Sequence, residues 1–281
     1  MIISSNNKLN SNSPIGFVDS GVGGLTVLDN VRKILPNENF LYYGDTIHTP
    51  YGDKTKEQLL EYSDNIFKFF EEQGCKAVVM ACNTTSSTIY DDIKNKYNFG
   101  IYPIVQSAAK ILSELHIKRL GIFATRGTIR SGAYPREIAK YNTKMEVFGQ
   151  YCPDWVYIIE NGLIYNDESI KIVEKDLKTM LKNNPEKIVL GCTHYPFLTD
   201  ILSRFAPREL FIDPAIEFAK FIKSDLSAKG LLNNNNANGS GKFYVSANPQ
   251  LFKNSAKMFY EIEELPELLT FQNSSETILV S

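Results

Sequence analysis

Short β-rich apolar runs alternate with segments of helical period along most of this chain, and that alternation limits the fold more than any other feature. "IGFVDS" (15–20) reads as a strand. "GLTVLDNVRKIL" follows it and sets Leu25, Leu28, Val31 and Leu35 on one helical face. "NFLYYGDT" (39–46) is a second strand, and 56–73 a helix that buries Leu59, Tyr62, Ile66 and Phe70. "AVVMAC" (77–82) is a third strand. Later come "RLGIFAT", "MEVFGQ", a helix around "SIKIVEKDLKTML", and "KIVLGC". Strands alternating with helices imply an α/β protein of parallel βαβ units, with helices on both faces of each sheet. In such sheets a ligand sits beyond the carboxyl ends of the strands.

The pattern also echoes itself. Gly16 of "GFVDSG" precedes Cys82 by 82 − 16 = 66 residues, and Gly121 of "GIFATRG" precedes Cys192 by 192 − 121 = 71. "KAVVMACNTT" and "KIVLGCTHYP" match by residue type. Two similar parallel-sheet lobes are expected, each offering a cysteine at the carboxyl end of its sheet, with the active site in the cleft between them. "NNNNANGSG" (233–241) reads as a surface loop before a last strand, "KFYVSA", and a last helix near "LFKNSAKMFYEI". The tail from about residue 264 carries no clear pattern.

Composition narrows the classes of function. With 43% hydrophobic and 22% charged residues the chain is an ordinary globular protein. A net charge of −2 gives no basic surplus for nucleic acid. No apolar run is long enough to cross a bilayer. The polar, Asn/Ser-rich start is expected to be a flexible arm over 1–13. It lacks the apolar core of a secretion signal, so a cytoplasmic protein is expected. Cys75, Cys82, Cys152 and Cys192 form neither a disulfide framework nor a C-x-x-C metal pair, and read as free thiols.

Two of these thiols have chemical context. Cys192 ends an apolar strand, with an imidazole at His194 that can draw off or return a proton. A lone cysteine is more often a small buried hydrophobe, but here the strand stops at the thiol. Cys82 has the same placement, followed by Asn83, Thr84, Thr85, Ser86 and Ser87. Their amides at the start of the next helix would form a carboxylate-binding surface; an N-cap cluster alone would account for one or two of them. "VDSGVGG" allows a tight turn and puts Asp19 and Ser20 where a ligand would lie. It fails the dinucleotide pattern, because Thr26 stands where that pattern ends in glycine. Pro50-Tyr51-Gly52 is a turn whose backbone could bind a polar substrate end. His48 reads as a loop histidine, His116 and Cys75 carry no functional reading, and Cys152, next to Pro153, reads as structural.

"DSGVGG", "GDT…PYG", "ACNT", "GTIRSGAY" and "GCTHYP" occur in this order in one chain, which resembles the bacterial glutamate racemases over residues 14 to about 260. The resemblance implies a discontinuous first lobe, 14–105 plus 214–281, and a second lobe, 106–213. It implies interconversion of L- and D-glutamate without a cofactor or metal, supplying D-glutamate for peptidoglycan. Cys82 matches the thiol that takes the α-proton of D-glutamate, and Cys192 that of L-glutamate. Asp19 matches the acid assisting the first thiol and His194 the residue assisting the second, with Glu160 a further acid near it. Asp19, Ser20, Tyr51, Gly52, Asn83, Thr84, Thr193 and His194 match substrate contacts, and Thr125 and Thr128 fall in a motif beside them. The expected partner is a small-molecule substrate, with no nucleic acid or membrane. A homodimer is one option for assembly. "TIHT" before Pro50 departs from the usual "TAR" type.

Three rival readings remain open at this point. An aspartate racemase of the same superfamily would typically carry Glu at position 194. A cysteine hydrolase would leave one thiol idle. A binding protein on the same frame would need neither thiol.

Overall fold

The computed structural model describes residues 10–235 and 237–271. Strand β1 (Ile15–Asp19) leads through α1 (Leu25–Ile34) to β2 (Phe40–Gly44); α2 (Lys56–Glu72), β3 (Ala77–Met80), α3 (Asn83–Ile93), β4 (Gly100–Pro103) and α4 (Ile104–Ser113) follow. Next come β5 (Arg119–Ala124), the short α5 (Arg126–Ser131) and α6 (Ala133–Ala139), β6 (Glu146–Tyr151), α7 (Trp155–Glu160) and α8 (Asp167–Leu181). β7 (Lys187–Gly191), α9 (Thr199–Leu202), β8 (Phe211–Ile212), α10 (Pro214–Ala228), β9 (Gly241–Val245), α11 (Pro249–Ala256) and β10 (Glu267–Leu268) complete the order.

The strands form two sheets, ordered β10-β9-β2-β1-β3-β4 and β6-β5-β7-β8, and every pairing is parallel. The echo in sequence is therefore an echo in topology: β2-β1-β3-β4 and β6-β5-β7-β8 have the same order. Every residue of β1, β2 and β3 is buried, as strands covered on both faces must be. Their apolar content comes largely from Val, Ile, Phe and Tyr, which fit a pleated surface. α2 starts at a capping box: Thr55 Oγ1 accepts from Gln58 N–H, and Gln58 Oε1 accepts from Thr55 N–H at 3.0 Å.

The core has three apolar layers. One lies between the two sheets and joins Leu25, Leu28 and Val31 of α1 to Ala108 of α4, Tyr134 and Ile138 of α6, Phe218 and Ile222 of α10, and Leu120 and Ile122 of β5. The other two cover the outer faces, Phe67 and Phe70 of α2 on the first sheet, and Trp155 and Leu177 on the second.

The chain passes from the first sheet to the second once and returns once. The resemblance puts the lobe boundary at 105/106, which falls near the start of α4, the helix that links β4 of the first sheet to β5 of the second and packs on α6. The chain returns between Ile212 and Pro214, where Asp213 caps α10 by accepting from Ala215 N–H at 2.9 Å.

Two local expectations differ from the structure, and a third, the Asn-rich surface loop, holds except at its start. Of the arm over 1–13, residues 1–9 lie outside the described residues. Residues 10–13 form a turn: Asn10 Oδ1 accepts from Asn12 and Ser13 N–H, and Asn39 Nδ2 donates to Asn12 O at 3.0 Å. The Asn-rich loop is tied inward at its start, where buried Asn233 donates its N–H to Glu38 Oε1 at 2.8 Å. Tyr62 is half-buried, not core, and stacks on His48 with ring centres 3.6 Å apart.

Candidate active site

Because the sheets are parallel, the site follows from where four strands end. β1 and β3 are neighbours, with Val18 opposite Met80, so Asp19 and Cys82 leave the same end of the first sheet. β5 and β7 are neighbours in the second, with Ala124 opposite Gly191, so Thr125 and Cys192 leave its corresponding end. The two ends face one small cavity. Ser20, Tyr51, Gly52, Cys82, Asn83 and Thr84 line it from the first sheet, and Thr125, Glu160, Cys192, Thr193 and His194 from the second. Its volume is ≈ 30 Å³. Asp19 is buried beside it.

Polar contacts tie the two sides together. Thr84 and Thr125 hydroxyls lie 2.9 Å apart, Thr26 Oγ1 donates to Thr193 O at 3.2 Å, and Thr193 Oγ1 donates to Asp19 Oδ2 at 3.5 Å. The glycines of "VDSGVGG" make this closeness possible. A β-carbon at Gly23 would overlap the His194 ring and the Thr193 hydroxyl. That is a requirement for bare backbone, not for a left-handed turn.

The two thiols have unequal surroundings. Cys192 Sγ is 3.8 Å from His194 Nδ1, and His194 Nε2 is 3.0 Å from Glu160 Oε1. Burial alone would disfavour a charged ring on His194. The bonds to Cys192 and Glu160 outweigh it and raise the imidazole from its ordinary 6.5 to about 10. A cation thus stands beside Cys192. The groups that act most on Cys82 are Asp19, Thr85 and Cys192, none of them a cation. Burial pushes the Cys82 thiol up to about 12, the Asp19 carboxylate adds to the rise, and Thr85 only partly offsets it. Burial also raises Asp19, against the pull of His194.

The His194 shift has a consequence for stability. A folded-state value above the unfolded one stabilises the fold fully below about 6.5, and that contribution is lost as pH rises through about 10. Urea unfolding at pH 7 and pH 10.5 should therefore show a larger loss in the wild type than in His194→Asn. Equal losses would remove the cation from this pair.

Other expected residues fall differently. Of the polar run after Cys82, only Asn83 and Thr84 reach the cavity. Thr85 and Ser87 bond back to the carbonyls of Cys82 and Thr84, and Ser86 holds Gln106. Thr128 stands behind Thr125, with hydroxyls 3.1 Å apart, and does not line the cavity. His48 lies outside it and pairs with buried Asp45 at 2.7 Å, which also accepts from Tyr51 Oη at 2.5 Å. Sequence reasoning missed Asp45, although "GDT" ends a buried strand. It also missed Val156 and Thr49, which complete the cavity wall. Among the described residues no helix is long and apolar enough to cross a membrane.

Comparison with known proteins agrees with this geometry. The profile of the Asp/Glu/Hydantoin racemase family matches residues 43–221. A glutamate racemase of Carboxydothermus hydrogenoformans is 36% identical over 256 residues, covering 90% of this chain and 95% of that protein. A crystal structure of glutamate racemase from Francisella tularensis in complex with D-glutamate superposes with a TM-score of 0.85 at 31% identity, covering 95% of this chain and 100% of the other. Glutamate racemase from Thermus thermophilus in complex with beta-chloro-D-alanine gives 0.82 at 33%, covering 93% and 98%.

Proposed function

This chain belongs to the Asp/Glu/hydantoin racemase family, within which its relatives are glutamate racemases, and on that premise we propose that it interconverts L- and D-glutamate through Cys82 and Cys192. The observation that carries the reading is the pair of buried cysteines, one from each sheet, lining one cavity. Inversion at an α-carbon removes a proton from one face and delivers one to the other. Two thiols supported by separate sheets can do this without turning the substrate over.

L-Glutamate is placed with its α-carbon between the sulfurs. The α-hydrogen is very weakly acidic, so its removal depends on donors aimed at the α-carboxylate. Asn83 Nδ2, the first amides of α3, the Thr84 hydroxyl and the Thr193 backbone N–H are suited to this. Cys192, as a thiolate beside the His194 cation, takes the α-proton and becomes a thiol. Cys82, whose raised value keeps its proton on sulfur, delivers that proton to the opposite face and becomes a thiolate. Asp19, buried at the end of the neighbouring strand β1, is the residue that assists this thiol. D-Glutamate runs the same steps in reverse. Tyr51 and Gly52 hold the side-chain carboxylate. No cofactor enters the scheme. The product D-glutamate would serve peptidoglycan synthesis in the cytoplasm.

His194 favours glutamate over aspartate, since aspartate racemases typically carry Glu at this position. The test is circular dichroism of the purified protein with each enantiomer of glutamate and aspartate, without added pyridoxal phosphate or metal. Both glutamate signals should decay to zero while the aspartate signals persist. Decay of aspartate at a comparable rate would reassign the substrate. Persistence of all four would leave a hydrolase or a binding protein.

A further inference from the structure

Asn83 is the first residue of α3, next to Cys82, and its side chain is buried. Its Oδ1 accepts a hydrogen bond of 2.9 Å from the Tyr134 hydroxyl. A carboxamide has one acceptor end and one donor end, so this bond decides which way each end points. With the oxygen engaged by the phenol, Nδ2 is left without a partner; among the described residues it is the buried side-chain nitrogen or oxygen that has none, and it belongs to a residue that lines the cavity. A buried donor left open in this way is costly, and native structures rarely keep one without a use. The reverse orientation would turn an oxygen toward the place where a carboxylate must bind.

Tyr134 belongs to α6, on the side of the second sheet, while Asn83 belongs to the first. Gly132, with φ of +60°, ends α5 and starts α6 two residues before the tyrosine. The ring edge lies against Gly191, where a β-carbon would come within 3.3 Å of Tyr134 Cε2, so this ring also braces the strand end that carries Cys192. Burial raises the phenol well above its ordinary range, which keeps its O–H as a donor.

We propose that Tyr134 is a positioning residue: it holds the Asn83 amide with its nitrogen toward the cavity, so that the donor for a substrate carboxylate is aimed only while the two sides of the cleft are closed on each other. The proposal rests on the racemase reading for the identity of the carboxylate. The orientation of the amide stands without it.

The experiment is Tyr134→Phe in the full chain, which removes one oxygen atom. Steady-state rates with L- and D-glutamate should show kcat/KM lowered about tenfold in both directions, with part of the loss in kcat because the donor serves the proton-removal step. Interconverting enantiomers must keep equal kcat/KM, so a true effect appears equally in both. A cycle with Asn83→Ala separates positioning from general damage. If Tyr134 works through Asn83, adding Tyr134→Phe to Asn83→Ala changes nothing further. The same fall in both backgrounds, or wild-type kcat/KM in Tyr134→Phe, overturns the proposal. The side-chain amide signal of Asn83 in a ¹⁵N-correlated spectrum, identified by its loss in Asn83→Ala, gives a readout independent of turnover. It should shift in Tyr134→Phe whether or not glutamate is the substrate. An unmoved signal overturns the proposal, whereas a wild type that fails to racemise glutamate overturns only the reading of the reaction.

Discussion

Cys82→Ala and Cys192→Ala are each expected to lower racemisation of glutamate by about 10⁴-fold or more, while D-glutamate still binds. General acid–base groups supply about 10²–10⁴-fold each. In a two-sided reaction, however, the loss of either group stops the proton from crossing, so the remaining thiol cannot compensate. Alanine removes one sulfur atom and leaves room for substrate. The carboxylate contacts expected from Asn83, Thr84 and Thr193 do not involve either sulfur. Loss of optical rotation measures the rate, and titration calorimetry with D-glutamate measures binding. More than about 1% of wild-type activity in either variant, set against a general acid–base contribution of this size, would defeat the two-thiol assignment.

Lys76→Met is expected to cost about 3–5 kcal/mol of folding stability and to leave the chemistry of the folded fraction intact. Lys76 precedes β3 and Glu38 precedes β2, so both lie at the amino ends of the strands, away from the cleft. Their side chains are 0% and 4% exposed and form an ion pair. Lys76 Nζ also donates to Ser11 O at 2.5 Å, and Glu38 Oε1 accepts from Asn233 N–H. One buried pair thus fastens the N-terminal turn and the Asn-rich loop to the first sheet. Burial pulls the lysine below its ordinary range, against the pull of Glu38. Removing one partner strands the other charge in the interior, which costs about 3–5 kcal/mol, whereas replacing both by apolar groups is often neutral. Urea unfolding of Lys76→Met and of Lys76→Met/Glu38→Leu separates these cases. The double variant should regain most of the loss. A single variant within about 1 kcal/mol of wild type would show that the pair adds no more than an exposed one.

The strands that carry the thiols were legible because they are buried on both faces, and a continuous apolar run that stops at a cysteine marks a strand end directly. The matching order of the two sheets was legible through the repeat of "GFVDS…AC" and "GIFAT…GC". β4 was not, because "GIYP" is four residues long, half of it not fully buried, and ends in proline. α10 was missed although its start signal is present: Asp213 as cap and Pro214 in the first turn are the usual opening of a helix. The N-terminal turn and Asn-rich loop read as loose because asparagine runs carry no apolar period. What holds them is a charge pair with members 38 residues apart, and no local pattern displays that. The same limit hides the Tyr134–Asn83 bond, which spans 51 residues. His194 and Glu160 could be matched to a family but not to each other, since a contact over 34 residues depends on how α7 settles against β7.

The polypeptide crosses between its two sheets at two places, at α4 and again at Asp213. A body joined to another at two points has, to first order, one rotational freedom left: swinging about the line through those points, like the shells of a bivalve. Lateral sliding and twisting are suppressed. A compartment of ≈ 30 Å³ has little room beyond a water molecule, so the cleft must widen to take in an amino acid.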